Sequence, residues 1–183
     1  MNNHSSCGYR VDAEALPDKF PTHRYSSEFC EALGRVVMTF GYLEERLFQV
    51  CRVLMIRERC KAGRDIEQVK NEIDQELRSW EADPLGKLIE HYQLVCKQIP
   101  GVSTVRTEKV VAYCKNIRPY RNALCHASWG LPDTEGRFHP KYVDKLRGRF
   151  DAAIDVGWLN QMQRHTAEVI AEVESTWTLL LGS

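Results

Sequence analysis

Arg121 and His126 stand five positions apart, with Asn122 directly after the arginine, in the run Arg118-Pro119-Tyr120-Arg121-Asn122-Ala123-Leu124-Cys125-His126-Ala127-Ser128-Trp129-Gly130. A guanidinium can grip phosphate oxygens through two parallel hydrogen bonds, and an imidazole takes and returns a proton near neutral pH. Together they suit phosphodiester chemistry without a metal: one side chain moves the proton and the other stabilises charge at phosphorus. Arg121, His126 and Asn122 are therefore the candidate catalytic residues. Arg118, Lys115 and Tyr120, on the same segment, are the candidate substrate-binding residues.

The surrounding charge favours an anion site. From Ser103 to His126 the bases are Arg106, Lys109, Lys115, Arg118 and Arg121 against one acid, Glu108; from Arg137 to Arg149 they are Arg137, Lys141, Lys145, Arg147 and Arg149 against Asp144. The whole chain, with 25 Lys and Arg against 25 Asp and Glu, has no formal net charge, so any polyanion site is local. The two basic segments together predict a basic cleft for phosphates, whereas each taken alone reads as a solvated face. Glu44 lies among Phe40, Leu43, Leu47 and Cys51, so part of its side chain is expected to face the core, where a carboxylate requires a partner. Arg121 or Arg118 is the natural one; the alternative is that Glu44 reaches water at the edge of the stripe.

Other reactive side chains are less well placed. Seven cysteines, at 7, 30, 51, 60, 96, 114 and 125, form no CxxC pair, and Cys30, Cys51, Cys96 and Cys114 read as small reduced core residues. Cys125 and His126, adjacent on a helix, point about 100° apart and do not make a thiol–imidazole pair. His139 and His165 lack a neighbouring constellation, and His91 and His165 read as surface or packing residues on amphipathic helices. Trp129, Trp158 and Trp177 read as core rather than as base-stacking rings. No metal-ligand spacing occurs, and no cofactor is expected.

The elements that must position these residues are helical. Residues 1–24, with Gly8, Pro17 and Pro21, read as an N-terminal arm, and residues 25–183 as a single domain. From Phe29 to Met55 apolar residues recur every three or four positions, predicting a long helix capped by Ser26 or Ser27 and fading near Cys60. Ile66, Val69, Ile73, Leu77 and Trp80 mark a second helix, acidic outside. Asp83-Pro84 predicts the start of a third, with Asp83 as cap, running through Leu85, Leu88, Ile89, Tyr92, Val95 and Cys96. A fourth begins at Ser103 or Thr104 and meets Pro119, where it kinks or restarts; a restart would leave the amides around Arg121 and Asn122 free for an anion. Residues 131–156 are rich in glycine and proline and predict a loop or short β-hairpin insertion, with strands near 137–142 and 147–152. Trp158 to Leu181 forms a long last helix. The fold class is thus all-α, a bundle of four to five helices.

On an ideal helix Arg121 and His126 lie about 140° apart, whereas Asn122 and His126 share a face. Joining the arginine to the pair is expected to need either the irregularity at Pro119 or a second copy of the motif across a two-fold axis, and the two-fold is favoured because an isologous interface places a helix opposite itself and doubles every charge.

The long-helix order, the piece Gly41-Tyr42-Leu43-Glu44-Glu45-Arg46-Leu47 and above all Arg121-Asn122-Ala123-Leu124-Cys125-His126 resemble the HEPN superfamily, over roughly residues 27–130. The resemblance implies a helical bundle, commonly a homodimer, with an Arg-x(4–6)-His motif. It also implies metal-independent RNA cleavage to a 2′,3′-cyclic phosphate and a 5′-hydroxyl in toxin–antitoxin or other defence settings, with an antitoxin or nucleotidyltransferase as partner. His126 would then act in proton transfer, Arg121 on the phosphorane charge, and Asn122 in orienting His126 or the phosphate. Two rival readings are a HEPN-like module that binds RNA, nucleotide or protein without cutting, and a helical interaction protein with Arg121 in an ion pair and His126 packed. With no apolar run near the roughly 18 residues of a membrane helix and no secretion signal, the expectation is a cytoplasmic protein without membrane contact.

Overall fold

The computed structural model describes residues 13–144 and 148–181. Cys7, Lys145 and Arg147 lie outside the described residues, as do residues 1–12 of the arm and the side chains of Trp177, Leu180 and Leu181. Five helices, α1 (Ser27–Cys60), α2 (Ile66–Leu77), α3 (Leu85–Gln98), α4 (Thr104–His126) and α5 (Val156–Leu181), carry the fold, with a two-stranded antiparallel sheet, β1 (Val143–Asp144) and β2 (Gly148–Arg149), in the insertion. This is the all-α bundle with a small hairpin that the periodicity predicts.

The long first helix is the axis. Its buried stripe, Phe29, Ala32, Val36, Phe40, Leu43, Leu47, Val50, Cys51 and Leu54, keeps the spacing that places one face of a helix against a core. Ser26 Oγ accepts from the Phe29 amide at 3.1 Å and closes the N-terminus. Against this stripe pack Leu85, Ile89 and Tyr92 of α3, Val110, Cys114 and Ile117 of α4, and Leu159, Val169 and Val173 of α5. Tyr92 and Thr176 bury their hydroxyls against each other at 2.7 Å, so each polar group enters the core with a partner. The second helix packs Val69, Ile73 and Leu77 as a separate cluster on Phe48, Met55 and Ile56, and Arg52 clamps Asp74 at 2.6 Å across α1 and α2.

Two local expectations are corrected. Asp83 does not cap α3: the residue at the cap position is Pro84, extended and without a side-chain bond, while the Asp83 carboxylate meets His91 Nε2 at 2.9 Å. His91 is held there because its ring stacks on Trp80, 3.7 Å away and nearly parallel, so the imidazole competes with the backbone amides for the carboxylate. The fourth helix does not restart at Pro119; it continues from Thr104 to His126 with the proline inside. The Arg121 and Asn122 amides are therefore inside the helix, not at a new terminus facing an anion.

The insertion docks by aromatic contact. Phe138 stacks on Phe29 at 3.8 Å, Trp129 meets Phe29 edge-on, and the Tyr25 hydroxyl donates to the Trp129 carbonyl at 2.8 Å, which also ties down the end of the arm. The expected strands are shorter and displaced: Val143 pairs with Arg149 and Asp144 with Gly148, while Ser128–Lys141 and Phe138–Ile154 make single bridges. Gly148 supplies the left-handed conformation, φ +79, at the hairpin end.

Candidate functional site

The site forms where the last two turns of α4 cross the middle of α1. Leu124 and Ala123 anchor α4 in the core, which turns Asn122 and His126 outward: His126 is exposed and Asn122 half-buried. Arg121 leaves the flank of the helix toward α1, where its Nη2 lies 2.9 Å from Glu44 Oε1, the two side chains being only 20% and 22% exposed. From that anchor Nη1 turns back over its own helix, 3.3 Å from Asn122 Oδ1 and 3.4 Å from His126 Nε2.

The gap of about 140° between Arg121 and His126 is thus closed within one chain, by the length of the arginine side chain. Neither a broken helix nor a second copy is required to join them. A guanidinium can only donate, so in this contact Nη1–H donates and Nε2 accepts. At 3.4 Å the bond is long, and an entering anion displaces it at small cost.

Glu44 is the partner expected of a carboxylate among apolar residues. Burial pushes its pKa up, and the Arg121 guanidinium opposes that shift. Its Oε1 is shielded from solvent and makes no aligned hydrogen bond, so the attraction to Arg121 is chiefly Coulombic. Cys125 is exposed beside the pair; burial of its sulfur raises the thiol pKa, with Arg121 lowering it and Glu44 adding to the rise. This environment does not favour a thiolate nucleophile.

The substrate-binding candidates scatter. Lys115 is exposed on the same face as Asn122, about two turns back along α4. Arg118 turns to α3, its Nη1 resting 2.8 Å from where a side chain on Gly86 would begin. Tyr120 packs edge-on against Phe150 and Trp158. The bases expected to line one cleft are likewise divided: Lys109 pairs with Glu172, Arg106 donates to Ser175, and Arg137 pairs with Asp133 and Glu135.

Three features escaped the sequence reading. A cleft of about 440 Å³ beside Glu44 carries Glu45, Glu81 and Asp83 with Phe48 and Trp80, and a smaller pocket lies between Pro119 and the hairpin. The acids Glu81 and Asp83, which follow α2, are a local signal of the first; the second depends on the hairpin's position over α4. His139 meets the Asp133 carboxylate at 3.1 Å, a constellation the sequence did not suggest; backbone amides of Glu135 and Arg137 on the same carboxylate mark it as a turn-stabilising group. Among the described residues no cluster of three or more His, Cys, Asp or Glu could hold a metal ion, and no helix is long and apolar enough to cross a membrane.

Comparison with protein-family models, curated proteins and solved structures finds no match. The geometry of the site therefore carries the functional argument.

Proposed function

We propose that the chain is a HEPN-like endoribonuclease that cleaves RNA without a metal, leaving a 2′,3′-cyclic phosphate and a 5′-hydroxyl, in a toxin or defence role. The observation that supports it is the 3.4 Å approach of Arg121 Nη1 to His126 Nε2 on an exposed face. A phosphate entering between them meets a permanent cation and a base of ordinary reach. His126 takes the 2′-hydroxyl proton or delivers one to the leaving 5′-oxygen. As the 2′-oxygen bonds phosphorus and the P–O5′ bond breaks, Arg121 neutralises charge on the equatorial oxygens. Asn122 keeps Nη1 turned toward His126, and Glu44 fixes the other end of the guanidinium. The active form is a homodimer, in which the two-fold doubles the charge at the site rather than completing it.

The test is cleavage of a structured RNA by purified chain in excess chelator, with end-group analysis. Arg121→Ala and His126→Ala are each expected to lower the rate at least ~100-fold, the usual loss for such groups. Cutting that persists in both variants would assign the activity elsewhere.

A second reading has one observation in its favour. Glu44 already neutralises Arg121, so an anion must compete with a carboxylate that is fixed in place. Under that reading the chain binds RNA, nucleotide or protein without cutting, and wild type and both variants are equally inactive while a ligand still binds.

A further inference from the structure

Pro119, Asn122 and His126 stand at i, i+3 and i+7 on α4 and lie within about 60° of one another around its axis. Pro119, which lines the pocket beneath the hairpin, therefore shares the face of α4 that carries Asn122 and His126, about 10 Å back along the helix from His126. The volume of the pocket is about 190 Å³, and it is lined by Pro119, Tyr142 and Phe150 together with Arg149, Asp144 and Asp151. That is below the size of ordinary drug-sized sites and suits a single flat group.

The lining has two chemistries. Pro119, Tyr142 and Phe150 offer apolar faces for a planar ring, as aromatic side chains do for unpaired bases of single-stranded RNA. Arg149 and Asp151 are exposed and line the pocket on either side of half-buried Phe150. A carboxylate only accepts hydrogen bonds. Guanine alone among the four bases presents two adjacent donors, N1–H and N2–H, on its Watson–Crick edge; the others set an acceptor beside the donor and would face Asp151 with a lone pair. An arginine, in turn, pairs with guanine O6 and N7.

We propose that this pocket is a guanine-binding subsite, which selects the nucleotide next to the phosphate held by Arg121 and His126. The inference rests on the ribonuclease reading for its consequence, and on the pocket alone for its binding.

Two experiments separate the two. First, three RNA oligonucleotides identical except for guanosine, adenosine or inosine beside the cleavage point are cut by wild type and Asp151→Asn. Guanosine is expected to be preferred over adenosine by about tenfold, and inosine, which lacks the N2 amine, to lose that preference in wild type. Asp151→Asn is expected to lose it as well, with no further effect of inosine. Equal cutting of guanosine and adenosine by wild type, or an unchanged preference in Asp151→Asn, overturns the subsite. Second, amide chemical shifts are followed while guanosine 5′-monophosphate or adenosine 5′-monophosphate is added. Shifts at Gly148–Ala152 that favour the guanine nucleotide support the subsite even if wild type cuts no RNA, an outcome that would sink the ribonuclease reading alone. Equal or absent shifts there overturn the subsite.

Discussion

Arg121 has three neighbours, and each constrains it differently. Glu44 holds Nη2, Asn122 and His126 share Nη1, and a lysine ammonium, a single point charge on a flexible stem, cannot satisfy all three in that fork geometry. Arg121→Lys is therefore expected to retain the charge and still lose RNA cleavage by about tenfold or more, measured at saturating substrate to separate it from weaker binding. Glu44 gives a pH signature. Its folded-state pKa is raised above the ordinary 4.5 because burial outweighs the Arg121 contact, so the folded chain binds more protons than the unfolded chain through that window. The stability it contributes is full below 4.5 and is lost as pH rises through the raised value. Urea denaturation of wild type and Glu44→Gln between pH 4 and 7 should show wild type losing stability relative to the variant as pH rises; the opposite slope would mean that Arg121, not burial, dominates this carboxylate.

At the level of elements, α4 carries the pair and pays no attention to the break its proline would suggest. Pro119 lacks an amide hydrogen, so the carbonyl of Lys115 loses its partner one turn back, yet Val110, Cys114, Ile117 and Leu124 hold the helix to the core on both sides of that gap. Pro119→Ala should restore the bond and stabilise the chain by about 1–3 kcal/mol in chemical denaturation. Ser26→Ala removes the acceptor for the Phe29 amide and is expected to cost about 1 kcal/mol in the same measurement. These elements differ in how plainly they are written. The caps Ser26, Asp65 and Ser103 accept amides where polar residues precede apolar periodicity. Asp83 has the same form and a different partner, because His91 sits eight residues on, within reach only once α3 is folded and Trp80 has stacked beneath it.

At the level of the whole molecule, the insertion meets the bundle through aromatic rings, Phe138 on Phe29 and Phe150 on Tyr120. Phe138 is 5% exposed and stacked on Phe29, so Phe138→Ala removes a contact that seats the insertion on α1. A loss of about 3–5 kcal/mol is expected, with the hairpin amides exchanging faster than those of α1 in hydrogen exchange. Assembly is a separate matter. Met38 and Tyr42, 77% and 51% exposed on α1, give the outer face of the axis an apolar character, and the proposed homodimer is expected as a mass near twice 21.1 kDa in light scattering. A monomeric mass across micromolar concentrations would remove the dimer without touching the Arg121–His126 contact, since that contact is made within one chain.

Periodicity and caps, which are local properties, determined the five helices and the long first and last of them, because apolar spacing of three to four residues already says which face of each must be buried. The motif residues were legible from their types and spacing, and the apolar neighbours of Glu44 left it between a cationic partner and water. Which cation answered Glu44, how Arg121 crossed about 140° of helix to reach His126, and where the hairpin lies relative to Pro119 were decided only by tertiary structure. Side chains are not radial spokes, and a long guanidinium goes where its counter-charge lies. That charge stands on another helix, 77 residues earlier in the chain, and nothing in the local sequence of α4 specifies its position.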